Sequence, residues 1–309
     1  MEDILMADLG GTNIRFAVLC NGKISRFESY KCAEFDGLSD ALSFYRHQTG
    51  PLPKKFALCV AAPVFGNSIK MTNNHWSFST GQLKRKFSFT DVSVLNDFKA
   101  AALSLPYLEK KDFIKIGGGK SLKSAPKIIL GAGTGLGVGI LIENEDGKHQ
   151  ALASEGGHIL LPVQSKNDFD LYSKMMKKYG RVSAEKLISG RGLMDIYSIL
   201  SDKDLPACQI VERAVDGDKK AQQAILQMFS FLGVVAGNLA LSVGALGGVY
   251  ISGGIITQPN VLDFFKKSDF RRQFESIDWE KGYLSRIPTY VIHRPNTVFK
   301  GLYHIFDKK

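Results

Sequence analysis

Two segments of this chain, more than a hundred residues apart, follow one plan. ILMADLGGTNIRFAVL, Ile4–Leu19, and IILGAGTGLGVGIL, Ile128–Leu141, each read as an apolar strand, a turn carrying Gly and Thr, and a second apolar strand. A chain that repeats such a unit has to build two sheets, each ending in a glycine-rich turn. Two related lobes follow as the expected architecture, and 309 residues are enough to give each its own core.

Glycine between apolar strands lets a backbone come close to a phosphate, so the known phosphate motifs are the first comparison. A dinucleotide fingerprint needs GxGxxG between a strand and a helix. Counted from Gly131 the sixth position is Leu136, counted from Gly133 it is Val138, and VGILIE continues as strand. A P-loop needs GxxxxGK[ST]; GGGKS at Gly117–Ser121 has Ile114 in place of the first glycine and is followed by LKSAPK, which holds a proline. GGGKS is therefore expected to be a flexible surface loop. What remains is the hairpin pair: Gly10, Gly11 and Thr12 in one turn, Gly133, Thr134 and Gly135 in the other, with backbone N–H groups and threonine hydroxyls that suit a polyphosphate. Asp8, at the end of the first strand, suits a hydrated Mg2+ beside such oxygens. The plainer alternative is a pair of ordinary hairpins whose glycines take positive φ. A third glycine pair, Gly253 and Gly254, follows the apolar strand GGVYIS.

Further strands are expected at FALCVAAPV from Phe56 and at VSVLND, Val92–Asp97, with FKAAALSLP after it as a short helix that Pro106 ends. A change of composition over Lys110–Lys127 marks a domain boundary. The pattern turns helical after Glu143, Lys219–Val243 reads as a buried helix, and VFKGLYHIFDKK as a terminal helix. No run approaches the roughly 18 uninterrupted apolar residues of a membrane span, and the acidic start MEDILMADLGG is unlike a secretory signal, so a cytoplasmic protein is expected. Cys20, Cys32, Cys59 and Cys208 form no CxxC pair, which argues for reduced, mostly buried thiols and against structural zinc. The net charge of +10 is spread over short separated groups, which reads as solvated surface favouring an anionic substrate, and no DNA-binding spacing accompanies it.

The ordered blocks ADLGGTNIRFAVL, MTNNHWSFS, LNDFKAAALSLP, GAGTGLGVGIL, SEGGHILLP, AEKLISGRGLMDIY, GNLALSVGALGGVYISGGI and FRRQFESIDWEKGYLSRIPTYVI cover nearly the whole chain. In them the sequence resembles the bacterial glucokinases, whose fold is that of sugar kinases, Hsp70 and actin. The related repressor and kinase family is disfavoured, because its cysteine-rich zinc motif is missing. The resemblance implies an α/β, two-lobed actin-like ATPase (ribonuclease H-like) fold, with mixed sheets flanked by helices and a central cleft. The small lobe would span 1–106 completed by 296–309, the large lobe 107–295, with the chain crossing near Tyr107 and Asn296.

The implied activity is ATP-dependent phosphorylation of glucose to glucose 6-phosphate, with Mg2+ at Asp8 through water. Asp97 would be the base that accepts the sugar hydroxyl proton; from position alone, Asn96 or Asp97 reads equally as a helix N-cap. Asn73, Asn96, Asp97, Glu155, His158 and Glu185 would hold the sugar, and Ala7–Thr12, Gly133–Gly135 and Gly253–Gly254 the nucleotide. Read as residues only, Glu185 also fits a first-turn acid after an N-cap at Ser183, and His158 a structural histidine. Trp76 is expected in the core. A homodimer is implied by the family alone. Arg191 and Asn74 stand where the family usually has proline and histidine, and RPNTVFKGL departs from its usual C-terminal crossover. These departures leave open a kinase of another hexose, such as mannose, fructose or an amino sugar. A sugar-sensing regulator of the same fold is a third reading, against which the full set of Asp8, Asp97, Glu155, His158 and Glu185 stands.

Overall fold

The computed structural model describes residues 3–163, 165–258, 260–276 and 282–306. The remainder, including 277–281 of the FRRQ block and 307–309 of the C-terminal segment, lies outside the described residues. The chain forms two compact units, one running to Leu108 and resuming at Asn296, the other from Glu109 to Pro295. Tyr107 therefore falls in the first unit.

In the first unit, β1 (Ile4–Leu9) is central, and every residue in it except Asp8 is buried. Such a continuous apolar run is what a strand covered on both faces requires. It pairs antiparallel with β2 (Asn13–Cys20), which pairs in turn with β3 (Lys23–Lys31), an exposed strand that the apolar pattern does not mark. On its other side lie β4 (Lys55–Val60) and then, after a small hairpin of β5 (Ser68–Lys70) and β6 (Ser77–Ser79), β7 (Asp91–Asn96), both parallel to β1. The order is β3-β2-β1-β4-β7. Helix α1 (Leu38–Thr49) joins β3 to β4, burying Leu38, Ala41, Leu42 and Tyr45 at helical spacing, and α2 (Thr80–Phe87) precedes β7. One sheet face packs Leu5, Ala7, Phe16 and Leu58 against Leu42, Tyr45 and the buried Trp76. The opposite face packs Met6, Ala17, Ala57 and Cys59 against α3 (Asp97–Ser104) and the C-terminal helix Val298–Tyr303. There Gly301 touches α3 so closely that a Cβ would collide with the carbonyl of Ala100.

The second unit repeats this plan. β9 (Lys127–Ala132) is central, β10 (Leu136–Glu143) and β11 (His149–Ser154) extend it as an antiparallel meander, and β12 (Gly248–Ser252) and β13 (Thr289–Ile292) continue it in parallel on the other side. β8 (Phe113–Gly117) adds an antiparallel edge, giving β11-β10-β9-β12-β13-β8. The strand β11 corrects the expectation of helix after Glu143. Between β11 and β12 the chain inserts α4 (Lys166–Tyr179), α5 (Gly190–Ser201), α6 (Ala207–Val215) and α7 (Lys219–Val243); α8 (Val261–Lys267), α9 (Phe270–Glu275) and α10 (Tyr283–Arg286) precede β13. Helix α7 is long and apolar enough to cross a membrane by length and composition, which the absence of an uninterrupted apolar run conceals. It is the buried helix that its composition predicts: 67% of that window is enclosed by the unit's own core.

The GGGKS segment is not a free loop. Gly117 ends β8, the N–H of Gly119 donates to the carbonyl of Arg286 at 3.1 Å, and the Ser121 hydroxyl donates to the carbonyl of Gly247 at 2.7 Å. Gly118 has φ +83° and no room for a Cβ against the backbone of Ile287. These partners lie more than a hundred residues along the chain, beyond the reach of a local pattern. Gly118→Ala should lower stability by at least about 2 kcal/mol, read as a fall in the urea midpoint, because both backbone conformation and packing oppose the methyl group. A surface loop would tolerate it without change.

Candidate active site

In the first unit the turn between β1 and β2 is held from several sides. The N–H of Gly10 donates to the carbonyl of Asn13, the N–H of Cys32 donates to the carbonyl of Thr12 at 2.8 Å, and the N–H of Ala61 donates to the carbonyl of Leu9. Gly11 packs on Asn73, where a Cβ would lie 2.8 Å from the Asn73 Cβ, so the structure brings the DLGGTN turn and the MTNNHW segment together. Neighbouring Asn74 accepts from the N–H of Trp76 at 2.9 Å.

Asp8 sits opposite Arg15 on β2 and opposite Cys59 on β4. Its Oδ2 meets Arg15 Nη1 at 2.8 Å, and its Oδ1 accepts from the Cys59 thiol at 3.4 Å. Burial, followed by the charges of Asp8 and Asp97, pushes the Cys59 thiol well above its usual pKa, so it stays protonated and able to donate.

Asn96 and Asp97 divide the two roles that position alone left open. Asn96 is the N-cap of α3: its Oδ1 accepts from the N–H groups of Phe98 and Lys99, at 3.0 and 3.1 Å. Its Nδ2 donates to the carbonyl of Ala62 and to Asp97 Oδ1. Both acceptor positions and both donors of this amide are in use, so contact with a sugar requires one of these bonds to be exchanged. Asp97, the first residue of α3, also accepts from the N–H of Phe98 at 3.0 Å. The N–H of Phe98 and the Asn96 amide thus orient a carboxylate without supplying a proton donor of high acidity.

In the second unit the Gly133–Gly135 turn gathers three other segments. The N–H of Gly190 donates to the carbonyl of Gly133 at 2.8 Å, and Glu185 Oε2 accepts from the N–H of Leu136 at 3.0 Å, lying directly against Gly135. Gly157 packs on the carbonyl of Leu136, which brings SEGGH to the same place. Gly253, at φ +111°, packs on the backbone of Ala132. Glu155 and His158 face each other at 3.7 Å with side chains 70% and 59% exposed. Ser183 precedes the short turn that carries Glu185 but makes no capping bond with its side chain. Among the described residues no group of three His, Cys, Asp or Glu side chains is placed to hold a metal.

The backbone angles bear on the plainer reading of the hairpins. None of Gly10, Gly11, Gly133 or Gly135 has a positive φ, so the turns do not need glycine for their backbone shape. At Gly11 a Cβ would meet the Cβ of Asn73, and at Gly135 it would displace the Glu185 carboxylate from its bond to the Leu136 N–H. At Gly133 and Gly254 a Cβ would meet nothing within 4 Å. Among the described residues nothing packs against either position.

Two sheets of the same five-strand order, each a three-strand meander continued by two parallel strands, define the actin-like ATPase class. A family profile described as Glucokinase matches residues 5–309. The chain is 36% identical to a glucokinase of Paramagnetospirillum magneticum, over 97% of this chain and 96% of that one. It is 39% identical to a glucokinase of Neisseria meningitidis, over 93% and 90%. The crystal structure of a glucokinase from an Antarctic psychrotroph superimposes with a TM-score of 0.88 at 30% identity, over 100% of both chains. The chain belongs to the glucokinase family.

Asn96→Ala should lower stability by about 1 kcal/mol, with an unchanged urea m-value, because it removes the acceptor of the Lys99 N–H and leaves the Phe98 N–H only Asp97. Asn96→Ser, which restores an acceptor at the cap, should recover most of the loss.

Proposed function

We propose that this protein transfers the γ-phosphoryl group of ATP to glucose, forming glucose 6-phosphate, with Asp97 as general base. The observation that carries the reading is the orientation of Asp97 at the start of α3 by Asn96 and the N–H of Phe98, in a chain of the glucokinase family. Phosphoryl transfer asks a protein mainly for alignment and charge neutralisation, so a carboxylate of ordinary basicity suffices to accept the hydroxyl proton as the O–P bond forms.

Glu155, His158 and Glu185, with Asn73, are assigned to the sugar. A carboxylate offers about four acceptor positions, so Glu185 can keep the N–H of Leu136 and still accept from a hydroxyl. Residues Ala7–Thr12, Gly133–Gly135 and Gly253–Gly254 are assigned to the nucleotide. Mg2+ fits the donor set at Asp8: Arg15 and Cys59 occupy its two oxygens, which suits contact through water with an ion that keeps its own hydration. When bound, Mg2+ supplies neutralisation of the phosphate charge. A cytoplasmic location and a homodimer belong to the same proposal.

A coupled assay of ADP release over a panel of glucose, mannose, fructose and amino sugars tests the reading, with glucose expected to give the highest kcat/KM. No sugar-stimulated turnover with any hexose overturns it. Asp97→Asn should lower kcat by about 10²- to 10⁴-fold while glucose binding, measured calorimetrically, is retained. A regulator of this fold that uses no base would show equal binding and no difference between the two proteins.

A further inference from the structure

We infer that Cys59 is a positioning residue, whose thiol acts with the Arg15 guanidinium to fix the orientation of the Asp8 carboxylate. The inference rests on the assignment of Asp8 to the metal and phosphate made above, and goes beyond it in naming the groups that set its direction.

The register of the sheet places the three side chains in one row. Asp8 lies opposite Arg15 across the antiparallel β1/β2 pair and opposite Cys59 across the parallel β1/β4 pair. Residues directly opposite point to the same face, so all three share the face covered by α3 and the C-terminal helix. Arg15 binds one carboxylate oxygen at 2.8 Å and Cys59 Sγ the other at 3.4 Å. A carboxylate with one partner still turns about its terminal torsion, which is broad and roughly two-fold. A second donor on the other oxygen removes that freedom and defines the carboxylate plane.

The two donors differ in the way this task needs. The Arg15 side chain is 40% exposed, free to adjust when a polyanion arrives, whereas Cys59 is 0% exposed and anchored in the central part of the sheet. Along β4 the other buried residue of this face is Ala57, so a small apolar side chain satisfies the packing one step further in. The sulfur at position 59 adds a weak donor that alanine lacks, aimed at the single polar side chain of β1.

Cys59→Ala and Cys59→Ser, made in the full chain, separate positioning from packing. Two measurements apply: Mn2+ affinity in the presence of ADP, by electron paramagnetic resonance, and the KM for ATP with Mg2+ at saturating glucose. Cys59→Ala should weaken both by about tenfold, the lower end of what loss of a supporting partner costs a metal site, with the KM for glucose unchanged. Cys59→Ser, whose hydroxyl can still donate after a small rotation, should stay close to the parent protein in both. Any outcome in which the alanine variant is not weaker than the serine variant overturns the inference, since a packing role treats two small residues alike. The Mn2+ comparison needs no turnover, so it judges this inference even if the parent protein phosphorylates no sugar.

Discussion

The pairing of β1 with a strand on either side governs the first unit. Because side chains alternate along a strand, a slip of one residue would turn Asp8 from the face of α3 to the face of Trp76 and carry Ala7 the other way. The apolar sequence on both sides of Asp8 makes this register costly to change: Ile4, Leu5, Met6, Ala7 and Leu9 are all buried. The core thereby fixes the direction of one charged group. The same logic holds for Asp97, whose place depends on β7 pairing with β4 through Val60 and Asn96, and on a cap that forms where that strand ends.

Local patterns carried a large part of this. The two hairpins were legible because apolar alternation and glycine-containing turns are determined within a dozen residues, and the buried helix Lys219–Val243 because its small and apolar residues extend all round it. The pairing of Asn96 with Asp97 was visible as an ambiguity, which the structure resolves by giving each residue its own partners. What stayed hidden was whatever a distant segment decides. β3 is exposed along nearly all its length and carries no apolar signal, and GGGKS owes its order to Arg286 and Gly247. Glu185 against Leu136, and Cys59 against Asp8, join residues 49 and 51 positions apart. No spacing rule within one segment could have shown either pair.

Glycine illustrates how the same residue answers to different physics. At Gly118 and Gly253 it satisfies a backbone conformation, at Gly11 and Gly135 it admits a neighbouring side chain, and at Gly133 it leaves space empty. A motif search counts these as equivalent, although each answers to a different physical demand.

The first unit is assembled from both ends of the described chain, with Gly301 of the C-terminal helix seated on Ala100 of α3. During synthesis the ribosome delivers β1 to α3 early, then the whole second unit, and only afterwards the helix that covers the apolar face of α3. Ala100, Met6 and Ala57 must therefore wait with that face uncovered while the whole second unit is made. Folding of the unit that bears Asp97 is thus tied to synthesis of the Val298–Tyr303 helix, so a product truncated before it would carry the proposed base on a helix packed on one face only.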